Sequence, residues 1–387
     1  MTKNFSKEIY KIFKNKKLFL HEPDVKISDY KYLKKCILEN NLSTTGNFIE
    51  KFQKKISNFT SSKYAILTNS GTSALHISCI LSNIKEKDEV LVPSFTFVAP
   101  VNAIKYCGAI PHFVEIEDKN FNIDFIKLKK YLKKITKIKG KNCINKKTGR
   151  IIKAIIPVHV FGHPVDVESL IKLSKEFKLN VIEDAAEALG SFYKKQHVGT
   201  FGKFGVLSFN GNKIVTSGAG GAILTNDKVL AEKAKHLVAT AKKKHPFKFI
   251  HDRIGFNYRL PNINAALGLS QLNRIQNMLQ KKRDLFKFYE KKFSNIKYFS
   301  LVKEPKNCKS NYWLQTIIID KNFSKFTDKI IKNLISKKIF VRAGWDLASN
   351  LKPYKNCPKM NLSIARKIQK RIINIPSSSF LIQSLKS

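Results

Sequence analysis

The sequence predicts an α/β fold: a mainly parallel, seven-stranded sheet covered by helices on both faces, with a smaller α/β domain closing the chain. Two observations carry this. From Tyr64 onward, short apolar runs alternate with helix-length periodic segments, the pattern of a parallel sheet buried on both sides. After about Thr240 the character shifts to a long lysine-rich helical stretch followed by a second, shorter set of strand-like runs.

Ahead of the sheet, Ser28 to Asn41 has helical spacing, and after the Ser43-Thr44-Thr45-Gly46 turn a second helix runs from about Asn47 to Asn58. Strands are expected at Tyr64 to Leu67, Glu89 to Val92, Pro111 to Val114, Ile152 to Val160, Asn180 to Glu183, Gly205 to Phe209 and Ala222 to Thr225. Helices are expected at Thr72 to Leu81, Phe97 to Tyr106, Asp124 to Ile135, Asp166 to Phe177 and Asp227 to Val238. Lys137 to Arg150 is polar and without period, and reads as a surface loop. The domains divide as residues 1–245, with an N-terminal helical segment, and 246–387. In the second, Asn262 to Asn295 forms a helix or helix pair, and strands at Trp313 to Ile319 and Lys338 to Val341 flank a helix at about Phe326 to Ser336.

A chain of 387 residues can bury a large core. Its formal charge of +44 raises nucleic acid or an anionic membrane as partners. The lysines are spread along the whole length, however, and no arginine-rich arm or aromatic-interleaved basic block stands out. The charge reads as compositional bias, with no nucleic acid and no membrane expected. Six well-separated cysteines lack zinc-like spacing, so no metal is expected, and a reducing, cytoplasmic setting fits. The first residues have no apolar core of signal-peptide length.

Three places carry chemistry. In Thr68-Asn-Ser-Gly-Thr-Ser-Ala-Leu75 a strand ends and a helix begins. Gly71 permits close approach and Thr72 offers a hydroxyl, so the helix start can seat a phosphate; plain capping explains the same residues. Asp184 ends an apolar strand, at the rim where parallel sheets bind ligands. A carboxylate there is costly unless it pairs with a cation or a hydrogen-bond donor; a protonated pyridine nitrogen is one such partner, and a core salt bridge is the other reading. Lys213 follows one strand later, in a polar turn between two apolar strands. It is a nucleophile if held in a cleft, or a simple exposed turn residue. A phosphate seat, a carboxylate and a lysine are together what pyridoxal 5'-phosphate requires.

The ordered motifs SGTSAL, PSFTFVAPVNAI, PVHVFGHP, VIEDAAEALGSF, GVLSFNGNKIVTSGAGG and GFNYRLPNINAALG resemble the DegT/DnrJ/StrS family of nucleotide-sugar aminotransferases. The wording SFNGNK, NKKTGR and SNYW is similar to the branch acting on UDP-linked 4-keto-6-deoxy-N-acetylhexosamines, on the route to legionaminic acid and bacillosamine. The resemblance implies a pyridoxal-phosphate-dependent transferase of fold type I. It implies that Lys213 joins the cofactor aldehyde and that Asp184 faces the ring nitrogen. Gly71, Thr72 and Ser208 would hold the phosphate, Phe97 would stack on the ring, and Glu187 would stand near the cofactor. Asn257 would reach the phosphate held by a second subunit, implying a homodimer. The expected reaction moves an amino group from an amino acid, L-glutamate, to a nucleotide-linked keto sugar. Arg259, Tyr312, Trp313 and Trp345 are candidates for the sugar pocket.

Other readings are a dTDP-linked 3- or 4-ketohexose as substrate, or a non-catalytic regulatory or nucleic-acid-binding protein on the same scaffold. A sugar dehydratase of this fold, by the same resemblance, has histidine in place of Lys213. The chain departs from its relatives at Ala219, where they have glycine, and at Ala343 and Ser349, where a proline and a histidine are expected.

Overall fold

The computed structural model describes Tyr10, Ile12, Phe13 and residues 17–386; the leading residues in which no signal peptide is expected lie outside that set. Seven strands form the central path: β1 (Tyr64–Thr68), β2 (Glu89–Pro93), β3 (Ile110–Val114), β4 (Ile151–Ile155), β5 (Asn180–Asp184), β6 (Phe204–Ser208) and β7 (Gly221–Thr225). Their spatial order is β1-β7-β6-β5-β4-β2-β3. All neighbours from β6 to β3 are parallel, whereas β7 runs antiparallel to both β6 and β1. β2 is buried along its whole length, as a strand covered on both faces must be.

The intervening helices begin where the sequence supplies a cap. Asp124, Asp166 and Asp227 each accept the backbone N–H three residues on, opening the helices Phe125–Ile135, Val167–Glu176 and Lys228–Val238. Because β7 reverses direction, the connection from β6 to β7 stays on one sheet edge. That edge is the one at which β1, β5 and β6 end, and the connection contains Lys213.

Three expectations are corrected. The stretch Lys137 to Arg150 is a hairpin, Thr136–Lys139 with Asn142–Asn145, whose second strand pairs with β4. Its reason is a buried carboxylate: Glu89 accepts hydrogen bonds from Asn145 Nδ2 at 2.9 Å and Thr148 Oγ1 at 2.7 Å, and lies 2.8 Å from His112 Nδ1. The lysines hid the alternation of Cys143 and Asn145 into the core. The strand expected to run from Ile152 to Val160 stops at Ile155, just before Pro157, which has no N–H for the ladder. The strand expected at Lys338 to Val341 is instead Arg342–Ala343, because Phe340 N–H donates to Leu18 O and Leu18 N–H to Lys338 O.

A four-stranded antiparallel sheet forms the second unit: Phe299–Leu301, Gln315–Ile319, Ile372–Ile375 and Arg342–Ala343, in that order. The long helical stretch is a pair, Asn262–Asn273 and Ile275–Phe293. Two segments pack across the division expected at residue 245. Ala265, Ala266 and Leu272 lie in the larger apolar core, and Phe13 and Leu18 lie in the smaller one with Leu285, Tyr289 and Ile317. No helix of the described residues is long and apolar enough to cross a membrane.

Candidate active site

A cleft of about 600 Å³ opens at the sheet edge where β1, β5 and β6 end. Nine of the twelve residues singled out in the sequence line it: Gly71, Thr72, Phe97, Asp184, Glu187, Ser208, Lys213, Trp313 and Trp345. A second cleft, about 860 Å³, between segments 117–120 and 300–308, shares none of them. Size does not select the site here; chemistry does.

The phosphate seat is built at the start of helix Gly71–Leu81. Ser70 caps it by accepting from Ser73 N–H at 3.0 Å, which leaves the N–H groups of Gly71 and Thr72 without helical acceptors. A Cβ placed on Gly71 would lie 3.1 Å from the Cβ of Ser208, so the bare backbone lets the helix start meet the end of β6. Backbone N–H groups and the hydroxyls of Thr72 and Ser208 thus line one corner, at the positive end of a helix dipole.

Asp184 is the last residue of β5 and is 5% exposed. Its Oδ1 accepts from Ala186 N–H at 3.1 Å, and it forms no ion pair with the described residues. The core salt bridge is therefore not its role. Burial pushes its carboxyl above the ordinary range, against the pull of the Ala186 N–H, Lys213 and His159. A buried acid in this state fits a cationic group supplied from outside the chain.

Lys213 extends from the β6–β7 connection, with its backbone N–H donating to Asn210 O. Its side chain is 13% exposed, and Nζ lies 3.6 Å from Glu187 Oε1. Nζ also sits 3.9 Å from the ring centroid of Trp313, whose indole N–H donates to Asn212 O at 2.8 Å. The lysine is thus held between a carboxylate and an aromatic face, not free on a turn. Glu187 Oε2 accepts the N–H of Phe161 at 2.9 Å, and Phe161 holds a φ of 53° that few residues other than glycine adopt. The strained backbone aims a donor at this carboxylate.

Burial pushes the Glu187 carboxyl up to about 7, with Lys213 and the Phe161 N–H opposing. The folded value exceeds the unfolded one, so the stability this group contributes is present below the ordinary glutamate range. It is lost as pH rises through about 7. Glu187→Gln is therefore expected to gain in melting temperature relative to the parent when cofactor-free protein is taken from about pH 5 to about pH 8. Thermal melts across that range check it; an offset constant with pH would count against a protonated Glu187.

Three expected residues lie elsewhere. Tyr312 is core: buried, stacked on Phe286 at 4.3 Å and edge-on to His163. Arg259 donates to Thr44 O at 3.5 Å, and Asn257 bridges to Ala239; neither lines the cleft of its own chain. Two departures also find their place. Ala219 falls between Gly218 and Gly220, which carry positive φ, while Ala219 itself does not, so its methyl is tolerated. Ser349 is buried, its hydroxyl 2.8 Å from that of Ser94, and it faces the core.

Sequence reasoning passed over His159, although the motif PVHVFGHP contains it. His159 Nδ1 accepts from Val165 N–H, so its Nε2 carries the proton and donates to Glu183 at 3.2 Å. Glu183 also accepts the N–H groups of Gly199, Phe201 and Gly202, which anchors the strand end that carries Asp184. His21, from the N-terminal segment, also lines the cleft, and both of its ring nitrogens are buried without a hydrogen-bond partner among the described residues. Nothing in its sequence neighbourhood could have pointed to it.

A helix-start anion seat, a buried acid without a counter-ion and a lysine amine share one cleft. That set, on this sheet, defines a pyridoxal-phosphate enzyme. The chain belongs to the DegT/DnrJ/EryC1/StrS aminotransferase family, whose sequence profile matches residues 24–384. It is 38% identical over 299 residues, 77% of either chain, to a GDP-perosamine synthase of Escherichia coli O157:H7. It is 31% identical over 341 residues to a UDP-4-amino-4,6-dideoxy-N-acetyl-beta-L-altrosamine transaminase of Campylobacter jejuni subsp. jejuni serotype O:23/36 (strain 81-176), covering 88% of this chain and 87% of the relative. Among solved structures, Helicobacter pylori PseC, an aminotransferase involved in the biosynthesis of pseudoaminic acid, superposes with a TM-score of 0.86. The match has 28% identity over 96% of this chain and 97% of that one. The fold-type-I expectation holds.

Proposed function

We propose that this aminotransferase moves an amino group from L-glutamate to the keto carbon of a nucleotide-linked 4-keto-6-deoxy sugar, for a surface glycan of the legionaminic acid type. The observation that carries the reading is the meeting of Lys213, Asp184 and the Gly71–Ser208 corner in one cleft. The substrate class is supported by the relatives, one a synthase of GDP-perosamine and one a transaminase named for a UDP-linked amino sugar.

Pyridoxal phosphate, when bound, supplies an electron sink for the carbon that loses its proton. The remaining roles fall to the chain. Gly71, Thr72 and Ser208 would hold the phosphate group, and Asp184 would keep the ring nitrogen protonated. Phe97, 54% exposed at the cleft, would cover one ring face. The amine of Lys213, placed to act as general base and acid, would take up the proton that the α-carbon of the donor loses and would supply one to the sugar carbon in the other half of the reaction. Glu187 keeps that amine within the cleft.

The site is shared in this reading. Phe247, Phe249 and Ile254 are more than three-quarters exposed on the arm that precedes Asn257, an apolar surface suited to a second copy of the chain. Asn257 and Arg259 would then serve the partner's cleft. The reading is tested by incubating the cofactor-loaded protein with glutamate and a panel of 4-keto sugars linked to UDP, GDP and dTDP. Release of 2-oxoglutarate with at least one of them is expected; none with any of them would sink it.

A further inference from the structure

Two of the six cysteines, far apart in the sequence, meet outside the cofactor cleft. Cys79 is buried near the end of helix Gly71–Leu81. Cys107, half-buried, caps the end of helix Val98–Tyr106, which packs beside the first. The two thiols face each other, with Cys79 as the donor. His76, one turn before Cys79, presents its ring to the Cys107 sulfur as a second donor. His76 is held in that position: it is buried, edge-on to Tyr106 at 5.5 Å and to Phe256 at 5.0 Å, with Nδ1 3.4 Å from the Tyr258 hydroxyl. Neither His76 nor either cysteine lines the cleft that holds Lys213.

A sulfur that accepts from two donors is favoured as the thiolate, which is the form that attacks. Cys79, then His76, pull the Cys107 thiol down to about 6, against its burial. Cys308 and Cys357 are half-buried as well, yet burial pushes the first up to about 12 and raises the second. Exposure does not separate these three cysteines; their neighbours do. We propose that Cys107 and Cys79 form a hydroperoxide-reactive dithiol, with Cys107 as the attacking sulfur and Cys79 as the resolving one. In the first step the Cys107 thiolate attacks one peroxide oxygen and the O–O bond breaks. That oxygen stays on sulfur as a sulfenic acid, and the other leaves as water or an alcohol with the proton that the thiol gave up. In the second step the Cys79 sulfur attacks the Cys107 sulfur and the S–O bond breaks, the oxygen leaving as water with the Cys79 proton. The two thiols together lose two electrons, and the hydroperoxide gains them. The bond formed ties two helices that both begin at the cleft, one at Gly71 and one just after Phe97.

The probe is hydrogen peroxide, in small excess over the cofactor-loaded full chain near neutral pH, followed by blocking of free thiols and peptide mass mapping. A bond between Cys79 and Cys107 within one chain is expected, with the loss of two hydrogens and reversal by dithiothreitol. The other four cysteines should stay free. Cys79→Ser should stop at a Cys107 sulfenic acid that dimedone captures, and Cys107→Ser should leave Cys79 unreacted. In the untreated parent, iodoacetamide should alkylate Cys107 about tenfold faster, or more, than Cys308 or Cys357, and His76→Phe should narrow that lead. The proposal is overturned if peroxide leaves Cys107 reduced, links any other pair or joins two chains. It is equally overturned if Cys107 in the parent passes to a sulfinic acid without a bond to Cys79, or alkylates no faster than the other two. These readouts need no keto sugar and no amino donor, so they stand whether or not the amino-transfer reading does.

Discussion

Replacing Lys213 by alanine is expected to give a folded protein with no visible cofactor absorption and amino transfer reduced by about 10³-fold or more. Folding survives because the backbone of the β6–β7 connection is held by its own hydrogen bonds, including Lys213 N–H to Asn210 O and Trp313 Nε1–H to Asn212 O. Among the described residues, the side chain's ion pair is with Glu187 and its ring contact is with Trp313. Its loss also removes the cation that opposes protonation of Glu187, so that carboxyl should stay neutral to higher pH. Lys213→Arg separates charge from nucleophilicity: it keeps the cation beside Glu187, yet no visible band should return. Absorption spectra with steady-state turnover check both variants. A band or near-normal turnover in the alanine variant would move the covalent role to another residue.

Asp184→Asn is expected to lower turnover by about 10³-fold, through loss of an anion positioned for the protonated ring nitrogen. Cofactor affinity, followed by dialysis, should fall as well. Stability separates chemistry from folding. Burial raises the Asp184 carboxyl above its ordinary value, so the stability it contributes is lost as pH rises through the folded value. Near neutral pH the cofactor-free asparagine variant should melt no lower than its parent. A variant that melts lower yet turns over normally would show that Asp184 supports structure and not catalysis.

Much of the cofactor end was legible because its residues sit at strand ends, and strand ends follow from apolar runs and the turns that stop them. Asp184 closes β5, Ser208 closes β6 and Gly71 opens a capped helix, each within a residue or so of expectation. The wall built by the N-terminal segment was not legible in that way. Phe19, His21 and Arg342 come together only because the N-terminal segment lies along residues 338–340, a pairing across more than three hundred positions that no local pattern records. Tyr312 shows the reverse: its neighbour Trp313 faces the cleft, and the left-handed turn at Tyr312, φ 49°, sends it into the core. The hairpin at 136–145 was missed because its reason for existing, the buried Glu89, is a tertiary one.

The reversal of β7 also sets a timetable. β1 is among the first strands made, yet in the finished sheet it has one neighbour, β7, which ends at Thr225. As the chain leaves the ribosome, β1 and the helix Gly71–Leu81 that follows it must wait, an edge unpaired, until well over half of the protein has been synthesised. The corner proposed to seat the cofactor is thus among the last parts of the large sheet to close. With the cofactor seated as proposed, it would meet a nearly complete domain, and a chain interrupted before Thr225 would have no place to keep it.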